Sequence, residues 1–263
     1  MYFEALLPRI NTIVNLSEMD INKFSKNTRN KIKKGLRKGL VLEKAGQDKI
    51  HILAEFLKDN MGKEAYYYND LYNVFDKTGD VDYFLVRVDY KNYLINSQHY
   101  YHNEQNRNNQ FNAKLLNNVS SNIINAKMNS DKALLTYKND IAEASKYLNT
   151  EIATYVAGAI VIRYENRITI QISGFDREAK RYAANYFLYY AILMHYRGQY
   201  KYADLNGITA DFDKSNPYYG LTRFKMGFNP DVYEYIGEFD LVINENAYNH
   251  LLKSGSLAKE LNK

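Results

Sequence analysis

Lys225 stands between Phe224 and Met226-Gly227-Phe228, with Arg223 two positions before it. A lone cation in so apolar a frame is unusual on a protein surface, where lysines sit among other charges. Desolvation lowers the pKa of such an ammonium, and a partly dry cation stabilises a nearby oxyanion far better than a hydrated one. The competing reading is a core strand that happens to carry a lysine. Upstream, Asp204-Leu205-Asn206-Gly207 leaves the end of a strand expected from Tyr200 to Leu205. There Asp204 is either a group that meets substrate or a structural cap.

A second feature is electrostatic. Net charge is only +5 and the pI about 8.9, yet Lys23, Lys26, Arg29, Lys31, Lys33, Lys34, Arg37, Lys38 and Lys44 face a single acid, Glu43. Such a block is a footprint for phosphate in RNA, a nucleotide or a membrane surface, or else a solvated helix face. Other chemistries are excluded. Without cysteine there is no disulfide framework, thiolate zinc site or cysteine nucleophile, which fits a reducing, cytoplasmic setting. His99 and His102 lack a third ligand, so no metal is expected. Arg197-Gly198-Gln199 is not the glycine-rich pyrophosphate loop of an acetyl-coenzyme A enzyme. There is no P-loop, dinucleotide fingerprint or zinc-protease motif.

At 263 residues and 46% hydrophobic, the chain holds one large or two modest globular domains. The N-terminus does not read as a signal peptide. No apolar stretch reaches the roughly 18 residues of a spanning helix, so a soluble protein is expected.

The elements that must position these residues follow from periodicity. A helix is expected over 17–38, opened by Ser17-x-x-Asp20, with Thr28, Ile32 and Leu36 on its apolar stripe and Gly39 ending it. A short strand at Leu40 to Leu42, helices at 48–61 and 66–78, and a half-buried strand at 81–91 come next. Residues 96–150 contain no Gly and no Pro and abound in Asn, Lys and Ala. Leu116, Val119, Ile123 and Ala126, then Leu134, Tyr137, Ile141, Ala144 and Leu148, form heptad seams on either side of Asn129-Ser130-Asp131. The expected product is an antiparallel hairpin of about 25 and 18 residues, turning at 129–131 and reaching ~30–35 Å. Its polar lead-in, 97–110, reads as helix or loop. Two strands over 154–176 turn at Glu165-Asn166. A helix over 177–197 follows, with Ala183, Phe187, Tyr190 or Ala191, and Met194 inward.

This order, with Phe224-Lys225-Met226-Gly227-Phe228 followed by Glu234-Tyr235-Ile236-Gly237-Glu238-Phe239-Asp240, resembles the Fem family. Ser25-Lys26-x-Thr28-Arg29-x-x-Ile32 carries the same likeness. Those enzymes are aminoacyl-tRNA-dependent transferases that build peptidoglycan cross-bridges. The resemblance covers about 20–45, 80–95 and 150–245. It implies an α/β, GNAT-like acyltransferase fold over 1–95 and 151–263, interrupted at 96–150 by an antiparallel coiled-coil arm.

It further implies transfer of an amino acid from aminoacyl-tRNA to the peptide of a lipid-linked or nucleotide-linked peptidoglycan precursor, with no cofactor beyond the charged tRNA. Lys225 is then the oxyanion-facing or phosphate-facing cation, and Asp204 meets the amine. Arg223 orients the site, binds tRNA phosphate or is a rim charge. Tyr218 and Tyr219 stack on the tRNA 3′ adenine, and Arg29, Lys33, Lys34, Arg37 and Lys38 bind tRNA. Related Fem-type proteins are possible partners, and the location is the cytoplasm or the inner face of the membrane. One departure stands out: Fem enzymes have two GNAT-like halves, and this chain begins where the first would be ending. An excised or truncated domain is then inactive alone, unless acceptor binding is supplied otherwise. Two other readings stay open: a non-catalytic RNA-binding or scaffolding module, and a remote GNAT enzyme with an unusual acyl donor.

Overall fold

A computed structural model describes residues 10–254 except 118, 152 and 237–240. Seven strands form one sheet in the order β2-β3-β4-β5-β6-β1-β7. They are β1 (Ile10–Asn15), β2 (Leu40–Ala45), β3 (Val81–Val88), β4 (Tyr155–Tyr164), β5 (Arg167–Phe175), β6 (Tyr202–Ile208) and β7 (Asp231–Glu234). Period-two alternation sends β3 into two cores. Phe84, Val86 and Val88 face one side of the sheet, Tyr83 and Leu85 the other. The first side is covered by α1 (Lys26–Arg37) and α6 (Ala184–Tyr196). The second is covered by α2 (Ile50–Met61) and α3 (Ala65–Asp76).

All neighbouring strands run antiparallel except β5 and β6. Their parallel register covers only Arg167 to Thr169 against Tyr202 to Asp204. Beyond Asp204 the two strands part while each continues, β5 to Phe175 and β6 to Ile208. That parting gives the sheet an opening in its middle.

Between β3 and β4 rise α4 (Tyr90–Asn117) and α5 (Ser121–Tyr147), packed against each other as a hairpin. The polar lead-in 97–110 is helix. α4 ends at Asn117 and α5 begins at Ser121, with Ser120 capping α5 through the Ile123 amide, so the helices do not meet at Asn129-Ser130-Asp131. Those three residues sit inside α5, where Asn108 of α4 donates to Ser130 Oγ (3.0 Å) and Asp131 Oδ1 (2.8 Å). A polar cluster that reads as a loop is a buried crossbrace. Leu116 and Val119, expected in the seam, are exposed at the turn.

Other boundaries shift for local reasons. Ser25, not Ser17, caps α1, and its hydroxyl accepts from the Thr28 amide; Asp20 caps a separate short turn at Ile21–Lys23. The inward stripe of α1 is Thr28, Ile32 and Gly35, and Leu36 points to solvent. Gly39 ends the helix at φ +69, where a Cβ would lie 2.5 Å from the Asp89 carbonyl oxygen. The sixth helix starts at Ala184 and buries Leu188, Ile192 and Leu193 with Phe187, while Met194 faces outward. β7 ends at Glu234, and part of the expected closing segment, 237–240, lies outside the described residues.

Candidate active site

Asp204 lies within β6, at the last paired position before β5 and β6 separate, and not at a strand end. Its side chain is buried, and burial holds its carboxyl above the usual carboxylate range. Three hydrogen bonds from two donors oppose that shift in part. Asn11 Nδ2, from β1, reaches both carboxylate oxygens (3.3 and 3.2 Å), and the Asn206 amide donates at 2.6 Å. The charges of Arg167 and Lys225 pull the same way.

Lys225 arrives on α7 (Tyr219–Met226), a helix and not a core strand. Thr222 and Lys225, one helical turn apart, are its buried positions. Phe224 anchors the helix through edge-on contacts with Tyr186, Tyr189 and Phe228. Gly227 then lets the chain pass α1, because a Cβ there would collide with Thr28 Oγ1, and its carbonyl accepts from the Ser25 amide (2.9 Å). Held in this way, Lys225 is 5% exposed and donates from Nζ to the Gly207 carbonyl (2.6 Å). Burial pushes its pKa down to about 8, against the opposing pull of Asp204. Asp204 and Lys225 feel each other's charge without a direct ion pair. They bracket the Asn206-Gly207 bend, where Asn206 takes φ +73.

Gly207 also lines an open, largely apolar cavity of about 470 Å³. Its walls come from the end of β6 (Gly207, Ile208), the following Thr209, and α7 and its lead-in (Tyr218, Leu221, Thr222). Ile10 and Glu234 close the strand side. Thr222 Oγ1 accepts from the Thr209 amide (3.3 Å), fixing α7 to the strand end. Lys225 is therefore one carbonyl behind the cavity wall. A buried ammonium with a depressed pKa and a buried carboxyl with a raised one are the type of pair that active sites use for proton and charge handling.

The remaining expected site residues divide. Tyr218 lines the cavity and is mostly exposed, Tyr219 is half-buried, and Arg223 is exposed on the outer face of α7. In the basic block, Lys33 is exposed, Lys34 half-buried, and Arg29 donates to the Asn22 carbonyl. Lys38 is not on a phosphate-facing surface. It is buried, donates to Asp140 Oδ1 (2.7 Å) and Tyr93, and lies over the Tyr93 and Tyr182 rings. Arg37 shares Asp140 (3.3 Å), and Lys44 pairs with the buried Asp82 (2.5 Å). His99 and His102 lie on α4, and among the described residues no cluster of three metal-ligating side chains occurs.

Asn11, Asn206 and Thr222 escaped sequence reasoning. Asn11 left no distinct signal, since half of its strand, Ile10-Asn11-Thr12-Ile13-Val14-Asn15, is polar.

The comparisons agree with this architecture. The chain belongs to the FemAB family, which it matches over residues 2–253. It is 23% identical over 261 residues to the lipid II:glycine glycyltransferase of Staphylococcus epidermidis, covering 95% of this chain and 62% of that protein. With the lipid II:glycine glycyltransferase of Staphylococcus aureus it shares 24% identity over 262 residues, 93% of this chain and 61% of the other. The chain thus spans about three fifths of the length of these relatives. A crystal structure of FemX has the same fold, with a TM-score of 0.68 at 19% identity, over 95% of this chain and 67% of that one.

Proposed function

We propose that this chain carries the acyl-transfer site of an aminoacyltransferase that moves an amino acid from aminoacyl-tRNA to the peptide of a peptidoglycan precursor. Family membership and the two glycyltransferase relatives support the reaction class. The observation that carries the site is Lys225, buried, partly neutralised and held on Gly207 beside the cavity. The short parallel contact of β5 and β6 supports a GNAT-like reading of the sheet, and the α4–α5 hairpin supports the coiled-coil arm.

The ester donor is already activated, so no covalent enzyme intermediate is needed. The acceptor amine attacks the ester carbonyl, a C–N bond forms, and the tRNA 3′ oxygen leaves with a proton. Asp204 takes the proton the amine loses. Lys225 turns from the Gly207 carbonyl to the developing oxyanion, a charge that exists only in the transition state. Tyr218, which lines the cavity, stacks on the terminal base in this reading.

The test is single-turnover transfer from Gly-, Ala- and Ser-tRNA to lipid-linked and nucleotide-linked precursors. It is run on this chain and on a version joined to the region its relatives carry beyond the match. Lys225→Met should lower turnover roughly 10²–10³-fold with substrate affinity nearly unchanged. Near-normal turnover, or a loss explained wholly by weaker tRNA binding, would overturn the assignment.

A further inference from the structure

We propose that the distal end of the α4–α5 hairpin docks on an anionic bilayer surface. The hairpin meets the body only near its root, through Tyr93, Asn96, Tyr137, Asp140 and Glu143. From that root the turn is some twenty residues away along α4, so it projects about 30 Å. At the turn, Leu116 is 89% exposed and Val119 74% exposed. Ile124 and Met128 extend the exposed apolar surface down α5 on one face, since a spacing of four brings side chains together.

The charge without an ion-pair partner beside this surface is basic. Residues 105–130 contain Arg107, Lys114 and Lys127 and no Asp or Glu. Lys127 pairs with Asp131 (2.6 Å) and Arg107 with Glu104 (3.7 Å), both at the inner margin, while Lys114 is exposed beside the turn. Cations flanking apolar side chains on a polar-backed helix are what an anionic lipid interface selects. A folded protein partner fits less well. Four aliphatic side chains on a convex turn bury roughly 400 Å², well short of the ~1,200 Å² of a specific protein interface. This inference rests on the hairpin and is independent of the acyl-transfer reading.

The chain contains no tryptophan, so Leu116→Trp makes a single reporter at the turn. With vesicles of equal parts phosphatidylcholine and phosphatidylglycerol, its emission should shift to the blue and be quenched by brominated acyl chains. With phosphatidylcholine alone the response should be weaker. In the otherwise wild-type chain, Leu116→Asp with Val119→Asp should lower vesicle partitioning roughly tenfold or more, with circular dichroism unchanged. An unmoved emission together with wild-type partitioning of the aspartate variant would overturn the proposal. So would a shift produced by tRNA or by raising the protein concentration but not by vesicles.

Discussion

Lys225 carries a cost as well as its proposed role. Its pKa is about 8 in the folded protein against 10.5 for the free side chain, and burial is the first cause. Between those values the unfolded chain binds more protons than the folded one, so stability rises with pH across that window. Below about pH 8 the penalty is fully present. The shift corresponds to ~3 kcal/mol, and the hydrogen bond to Gly207 returns ~1 kcal/mol of it. Lys225→Met should therefore be more stable than the wild type at pH 7 by of order 1–2 kcal/mol in urea denaturation. That gain should vanish by pH 10 to 11. A variant less stable at neutral pH would mean that the ammonium is hydrated or ion-paired. Activity that needs the charged lysine should likewise fall as pH rises through about 8. Lys225 was legible in the sequence because its frame is apolar on both sides. Asn11 was not, because it holds Asp204 through a β1–β6 pairing that spans 193 positions, and no local pattern encodes such a pairing; Asn206 was not, because it reaches Asp204 with its backbone amide, which no side-chain type marks.

At the scale of elements, the C-terminal end of α1 is bolted to the root of the hairpin. Lys38 bridges Asp140 and Glu143, Arg37 adds a second cation to Asp140, and Arg181 and Tyr182 bind Glu143 at 2.9 and 2.6 Å. Removing the central cation leaves two poorly solvated carboxylates facing each other. Lys38→Met should cost about 3–5 kcal/mol, seen as a lowered melting temperature and faster amide exchange at the hairpin root. Lys38→Met combined with Asp140→Asn should recover part of that loss, because the double change removes the stranded charge. The same geometry redraws the proposed RNA-binding face. Lys34 is pushed toward neutrality by burial and then by Lys31, Lys38 and Arg37, a crowding that an anion would relieve. Neutralising Lys33 and Lys34 together should reduce the slope of log tRNA affinity against log salt by roughly two phosphate contacts. Neutralising Lys38 should leave that slope alone, and an unchanged slope in the Lys33 and Lys34 variant would make this helix a solvated face. Sequence periodicity found both hairpin helices but misplaced their turn. Asn129-Ser130-Asp131 has loop composition, yet Asn108 satisfies it across the helix pair. The real turn carries Leu116 and Val119, which pattern reading assigns to a seam.

Over the whole molecule, two kinds of order coexist. β1, the first described strand, lies between β6 and β7 near the other end of the chain, so the sheet closes only through long-range pairing. The hairpin, by contrast, is made of contacts between neighbours in sequence and joins the body at one end. The central strands β3 and β4 are buried on both faces, whereas the outer half of the hairpin is held by the Asn108 crossbrace and by its own helix–helix contact. Local opening free energies follow local burial, so the two regions should open independently. Native-state hydrogen exchange should give amides of residues 105–130 opening energies of roughly 1–3 kcal/mol, while β3 and β4 exchange only with global unfolding. Asn108→Ala should lower the first set by about 1 kcal/mol and leave the second unchanged, since only buried partners near the turn lose a donor. If residues 105–130 exchange with the same free energy as the sheet, the hairpin is an integral part of the core. An arm that opens separately can reorient while the cavity beside Lys225 keeps its geometry, because that cavity is lined by residues of β6, of α7 and its lead-in, and by Ile10 and Glu234, and α7 is anchored by Phe224 on Tyr186, Tyr189 and Phe228.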